Sequence, residues 1–156
     1  GFRMSFRTDE IRRVGFDETL GGYALCEDID ASLGVMDKGL VVAAKRARIY
    51  HHKYPGSRSA GRTMGAIEVM NPLYVGLKRA QSFELPASEI AAFRRTLRLF
   101  LVMRLALRLT GVGSAFGRAR LAGTWSAIKS SRALWNAPRQ KISSAYATAI
   151  VRALAQ

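Results

Sequence analysis

The chain has 156 residues, enough for one compact domain or a small domain with an extension, and its 49% hydrophobic content excludes a wholly disordered chain. A single cysteine, Cys26, excludes an internal disulfide framework, and no Cys/His spacing suggests a structural zinc site. The net charge of +14 is uneven: residues 1–85 hold 13 Lys/Arg against 10 Asp/Glu, whereas residues 86–156 hold 12 Lys/Arg against the single acid Glu89.

From Gly1 the chain reads as mid-domain sequence, without the charged-then-apolar pattern of a secretory leader. Met4 to Arg7 reads as extended, and Thr8-Asp9-Glu10 opens a short helix ending near Val14, where Gly15 stops it. Gly21-Gly22 punctuates the next loop. Glu27 to Lys38 is expected to be helical, with Ile29, Leu33 and Met36 at helical spacing and Gly39 as the stop. Leu40-Val41-Val42-Ala43-Ala44 is β-prone and predicts a strand, and Ala47-Arg48-Ile49-Tyr50 a second extended piece. His51 to Arg62 is a basic Gly/Ser/Pro loop. A helix over Thr63–Ala80 follows, which Pro72 should kink or restart. Glu84-Leu85-Pro86 is the expected boundary between a first domain, 1–85, and a basic helical extension, 86–156. In the extension, helices are expected over Ser88–Leu109, Ser114–Ser130 and Ile142–Leu154. Its longest uncharged apolar run, Leu99 to Met103, is far short of a membrane span.

The pattern most suggestive of chemistry is Gly15-Phe16-Asp17-Glu18 followed by Cys26-Glu27-Asp28-Ile29-Asp30. Three acids in four positions repel one another unless a cation, a proton or a substrate hydroxyl uses them. Acids in a first helical turn are also favoured by the helix dipole, so the cluster has a purely structural reading too.

Those residues, with Met4-Ser5-Phe6-Arg7, Gly22-Tyr23, Gly39, Ala47-Arg48-Ile49-Tyr50-His51-His52, Pro55-Gly56-Ser57-Arg58 and Asn71-Pro72-Leu73-Tyr74, resemble in order and spacing the C-terminal half of the catalytic domain of family-2 glycosyltransferases. The likeness covers residues 1 to about 79 and is nearest to enzymes of bacterial polysaccharide assembly. It implies an α/β fold, the C-terminal half of a GT-A Rossmann-like domain, followed by the amphipathic helical tail. It also implies inverting transfer of a sugar from a nucleotide-sugar donor to a glycan or lipid-linked acceptor. Carried over by position, Asp28 is the catalytic base, with Glu27 orienting the acceptor or tuning its pKa. An acceptor hydroxyl is a poor nucleophile, so a carboxylate must take its proton as it attacks. Arg58, His51 and Asp30 complete the acceptor and diphosphate side. Arg58 would grip phosphate, with Arg62 a weaker version of the same idea, and Asp30 would cap the helix or hold the loop. His51 is open to three readings: a weak ligand of Mg²⁺ or Mn²⁺, a phosphate contact, or a strand-end histidine satisfied by the backbone. Asn71 and Tyr74 are taken as structural. The resemblance lacks the family's donor-binding N-terminal half with its Asp-x-Asp motif, which would hold most of the divalent cation. The family's usual arginine is replaced by Gly34. The chain is therefore expected to hold the base without the donor site.

The extension has another character. On Phe93–Leu109, Arg94, Arg98, Arg104 and Arg108 are expected to form a membrane-facing basic side, with Phe93, Leu97, Leu101 and Leu107 on another. Trp125 and Trp135 would suit the same interface. The expected location is cytoplasmic, peripheral at the inner face of the cell membrane. The rival reading is a non-catalytic basic helical module that binds an anionic membrane surface or nucleic acid, although no specific nucleic-acid motif is present.

Overall fold

The computed structural model describes residues 4–20, 23–36, 38–48, 50, 60–83 and 85–155. The chain divides into two compact units, Gly1–Arg58 and Ser59–Gln156. The boundary expected after residue 85 lies inside the second.

In the first unit, helix α1 (Thr8–Val14) carries Asp9 and Glu10 in its first turn and Arg12 and Arg13 in its last, the arrangement the helix dipole favours. Arg13 bonds back to Glu10 at 2.7 Å. Gly15 ends the helix at φ 68°, donating to the Ile11 carbonyl. A 3₁₀ turn (Glu18–Leu20) follows, and Asp17 starts it by accepting the Thr19 N–H at 3.0 Å. The turn buries Leu20, and helix α2 (Glu27–Val35), which packs with α1, buries Asp30, Ala31 and Gly34.

The second unit is built around helix α3 (Gly61–Ser82), which buries Ala66, Val69, Met70, Leu73, Tyr74 and Leu77. Packed with it are α4 (Ala87–Leu109), α5 (Ala115–Ser130), the single turn α6 (Arg132–Trp135) and α7 (Ile142–Ala155), the last preceded by a 3₁₀ turn (Arg139–Lys141). The α3–α5 crossing is a seam of small residues. A Cβ on Gly65 would lie 2.0 Å from the Arg120 carbonyl oxygen, and one on Gly123 would lie 2.0 Å from that of Arg62. Two backbones this close leave room for hydrogen only. Thr124 fills the seam with its hydroxyl, donating to the Arg120 carbonyl at 3.0 Å. On the other side of α3, Tyr74 stacks on Tyr146 of α7 with ring centroids 4.4 Å apart. The Tyr146 hydroxyl donates to Asn71 Oδ1 at 2.6 Å, and the Tyr74 hydroxyl bonds Ser143 Oγ at 2.8 Å. Ser114 caps α5, accepting the Gly117 N–H at 2.9 Å.

The expected α/β architecture is overturned. Helix accounts for 73% of the described residues, and none of them lies in a strand or sheet. The run Leu40–Ala44 is irregular rather than a strand, with Leu40 92% and Val42 79% exposed. A β-prone run becomes a strand only when a partner edge takes its N–H and C=O groups, and no such edge exists among the described residues. In the second extended piece Ala47 donates its N–H back to the Ala44 carbonyl at 3.0 Å, as in a turn, and Arg48 and Tyr50 lie in no strand, while Ile49 lies outside the described residues. Among the described residues each unit is built of helices and turns, not of half a Rossmann-like sheet. Within α3, Pro72 neither ends nor restarts the helix, because both its flanks are buried against neighbouring helices. The acidic helix α2 stops at Val35, three residues short of Lys38.

Candidate functional site

Helix α2 begins under backbone strain. Cys26, its first flanking residue, sits at φ 76° and Ala24 at φ 36°, both in the left-handed region that non-glycine residues avoid. Such conformations persist where surrounding structure over-determines them, and they cluster at functional sites. The strained pair sets the direction in which Glu27, Asp28 and Asp30 leave the turn.

The three acids separate on entering the helix. Glu27 is exposed, Asp28 is half-buried, and Asp30 is 2% exposed. Asp28 Oδ1 accepts the Ile29 N–H at 2.9 Å. Burial works to raise the Asp28 carboxyl, but a hydrogen-bonded positive charge nearby and backbone N–H donors, that of Ile29 among them, together outweigh it. Its pKa lies below the ordinary aspartate value. Asp28 is therefore an accessible carboxylate, ionised at neutral pH. Asp30 faces inward with Ala31 and Gly34, the side an anchor of the helix occupies.

Asp28, Ser32 and Val35 share one face of α2, at steps of four and three residues. Ser32 and Val35 line a cavity of about 510 Å³ in the first unit, closed on other sides by Phe6, Arg7, Glu10 and Lys38. The carboxylate of interest thus lies one helical turn along α2 from Ser32, which lines a recess with both apolar and charged side chains. Sequence spacing gave the acids but not the recess, since Phe6, Arg7 and Lys38 come from separate segments.

His51 and Arg58 lie outside the described residues. Arg62 is described. It occupies the first turn of α3, with its carbonyl against Gly123. Asn71 and Tyr74 are buried in α3 and bonded to α7 as given above. No group of three or more His, Cys, Asp or Glu side chains that could hold a metal occurs among the described residues. Those residues do not fit a resident divalent cation.

The basic face expected on α4 is rearranged. Arg108 Nη2 donates to Glu68 Oε2 at 2.6 Å, Arg94 Nε is buried without a hydrogen-bond partner, and Arg104 lies over the Phe100 ring at 5.0 Å. Arg98 lies over the Trp135 ring at 5.6 Å. Arg94, Arg104 and Arg108 share a side of the helix with buried Leu101, so they belong to the packed side and not to an outward basic one. Helical spacing explains the correction: Arg94, Leu97, Leu101, Arg104 and Arg108 recur at steps of three and four.

Sequence reasoning passed over Glu68. It is 9% exposed and binds Arg108 of α4 and both oxygens of its carboxylate reach Arg120 of α5. Its signal was its isolation, as the sole acid between Asp37 and Glu84. The Gly61-x-x-x-Gly65 and Ala119-x-x-x-Gly123 spacings were equally visible signs of a close helix crossing.

No known family model, no curated protein and no solved structure matches this chain. No helix among the described residues is long and apolar enough to cross a membrane.

Proposed function

We propose that the first unit is the acceptor side of a glycosyltransferase, with Asp28 the base that deprotonates a sugar hydroxyl. The observation that carries the reading is the position of Asp28, half-exposed and ionised, on the same α2 face as the residues that line the 510 Å³ recess. The order of sequence motifs around it supports the same reading. An acceptor sugar resting on Ser32 and Val35, with hydroxyls toward Arg7, Glu10 and Lys38, would present one hydroxyl near Asp28. As that oxygen attacks the anomeric carbon of a nucleotide sugar, Asp28 takes its proton and the nucleoside diphosphate leaves, with inversion at that carbon. Glu27, exposed beside it, would orient the acceptor. Asp30 would hold the helix rather than touch substrate.

The donor, and the divalent cation that would neutralise its leaving diphosphate, would be held outside the described residues. The acceptor would be a glycan or a lipid-linked saccharide of the bacterial envelope. A lipid-linked acceptor suits an enzyme peripheral at the inner face of the cell membrane.

The test is transfer from a panel of nucleotide sugars to lipid-linked acceptor in membranes of cells expressing the full gene product. Asp28→Asn is expected to reduce transfer by about 100-fold or more while the protein accumulates normally. Undiminished transfer would remove Asp28 as the base.

A further inference from the structure

We propose that the outward face of α4, continued by the groove between α4 and α5, is the surface that docks on an anionic lipid bilayer. This rests on the peripheral-membrane part of the reading above and names the surface responsible.

Helix α4 is amphipathic the unusual way round. Its inner side holds Leu101 together with Arg104 and Arg108, the latter neutralised on Glu68. Its outer side carries Leu99, Val102, Met103 and Leu107, which recur at helical spacing and are 64%, 67%, 54% and 54% exposed. Leu109, 58% exposed, joins this stripe to an apolar groove of about 470 Å³ lined also by Leu105, Leu121 and Trp125. Trp125 is half exposed there. A continuous apolar surface of this kind marks a partner or a membrane.

Charge selects the occupant. The charged side chains beside the apolar surface are cations: Arg95 and Arg98 on α4, and Arg118 and Lys129 on α5. Lys129 lies over the Trp125 ring at 5.5 Å. Residues 86–156 contain 12 Lys/Arg and one acid, Glu89, at the far N-terminal end of α4. A second copy would bring the same excess of positive charge against this one, so self-association is disfavoured. Nucleic acid needs cations at the centre of the contact, where this surface has Leu, Val and Met. A bilayer with anionic headgroups satisfies both parts, because acyl chains receive the apolar centre, phosphates receive the arginine and lysine rim, and the indole sits at the boundary.

The experiment is co-sedimentation of the full chain with phosphatidylcholine vesicles, with and without phosphatidylglycerol, alongside Trp125 emission in a Trp135→Phe background. Binding is expected only with phosphatidylglycerol, with a blue shift of Trp125. The double variant Leu99→Asp/Val102→Asp, at exposed positions and with helicity checked by circular dichroism, should weaken binding by about tenfold or more. Arg95→Glu should weaken the phosphatidylglycerol-dependent part. If the double variant binds as tightly as the parent while Arg139→Glu/Lys141→Glu does not, the surface is wrong and peripheral attachment stands. If the parent chain ignores both vesicles, peripheral attachment falls as well. A dimer in sedimentation velocity that the double variant dissolves, or tighter binding to duplex DNA than to anionic vesicles, would also overturn the proposal.

Discussion

Arg120 of α5 holds Glu68 of α3 with both arms of its guanidinium: Nε donates to Oε2 at 3.0 Å, and the terminal nitrogen takes Oε1. Arg108 of α4 adds a third bond to Oε2 at 2.6 Å. One carboxylate therefore ties three helices together at a largely buried point, in geometry that suits the planar fork of arginine.

Removing that carboxylate leaves two guanidinium groups facing each other with little solvent. Glu68→Ala should cost about 3 kcal/mol and lower Tm by about 10–20 °C. Urea unfolding of Glu68→Ala, Arg120→Ala and the double variant would check it. A coupling energy near zero would show that the three-helix tie contributes nothing.

The glycine seam makes a contrast within one molecule. Gly65→Ala and Gly123→Ala must push α3 and α5 apart, since each new methyl carbon would lie 2.0 Å from a backbone oxygen. A loss of about 2–3 kcal/mol is expected for each. Gly113→Ala meets nothing within 4 Å and should be neutral or stabilising by about 0.5 kcal/mol. Thermal denaturation of the three variants separates the cases.

Asp28 and Asp30 should divide activity from stability. Asp28→Asn is expected to change stability by less than about 0.5 kcal/mol while removing transfer. Asp30→Ala, at a position 2% exposed, should cost about 1–3 kcal/mol. Denaturation and transfer assays on the same two proteins test this, and a fall in stability as large for Asp28→Asn as for Asp30→Ala would refute the division.

Tyr146→Phe keeps the ring stacked on Tyr74 but loses the 2.6 Å bond to Asn71. A loss of about 1–2 kcal/mol is expected. Equal stability of the variant and the parent chain would show that the bond adds nothing net.

The helices themselves were readable because their signals are local. Gly15, the Thr8-Asp9-Glu10 start and the 3.6-residue spacing of apolar side chains locate α1 and the long helices to within a few residues. The β-prone run at Leu40 misled, because strand formation depends on a partner that no local pattern reports. At the candidate site the acids were legible, but their division into exposed Glu27, half-buried Asp28 and buried Asp30 was not, because the packing of α2 with α1 and the rest of the first unit sets it.

By itself, then, the sequence determined where helices start and stop, the acidic opening of α2 and the cationic character of residues 86–156. These follow from capping, backbone preference and charge, which each residue carries wherever it sits. Only the tertiary structure decided that Arg94, Arg104 and Arg108 of α4 turn inward while Arg95 and Arg98 stay exposed. The buried carboxylate of Glu68 gives Arg108 a partner there, and the tight Gly65–Gly123 crossing brings Arg120 to the same point. With α4's inner side shared by Leu101 and its inward arginines, Leu99, Val102, Met103 and Leu107 are left facing out.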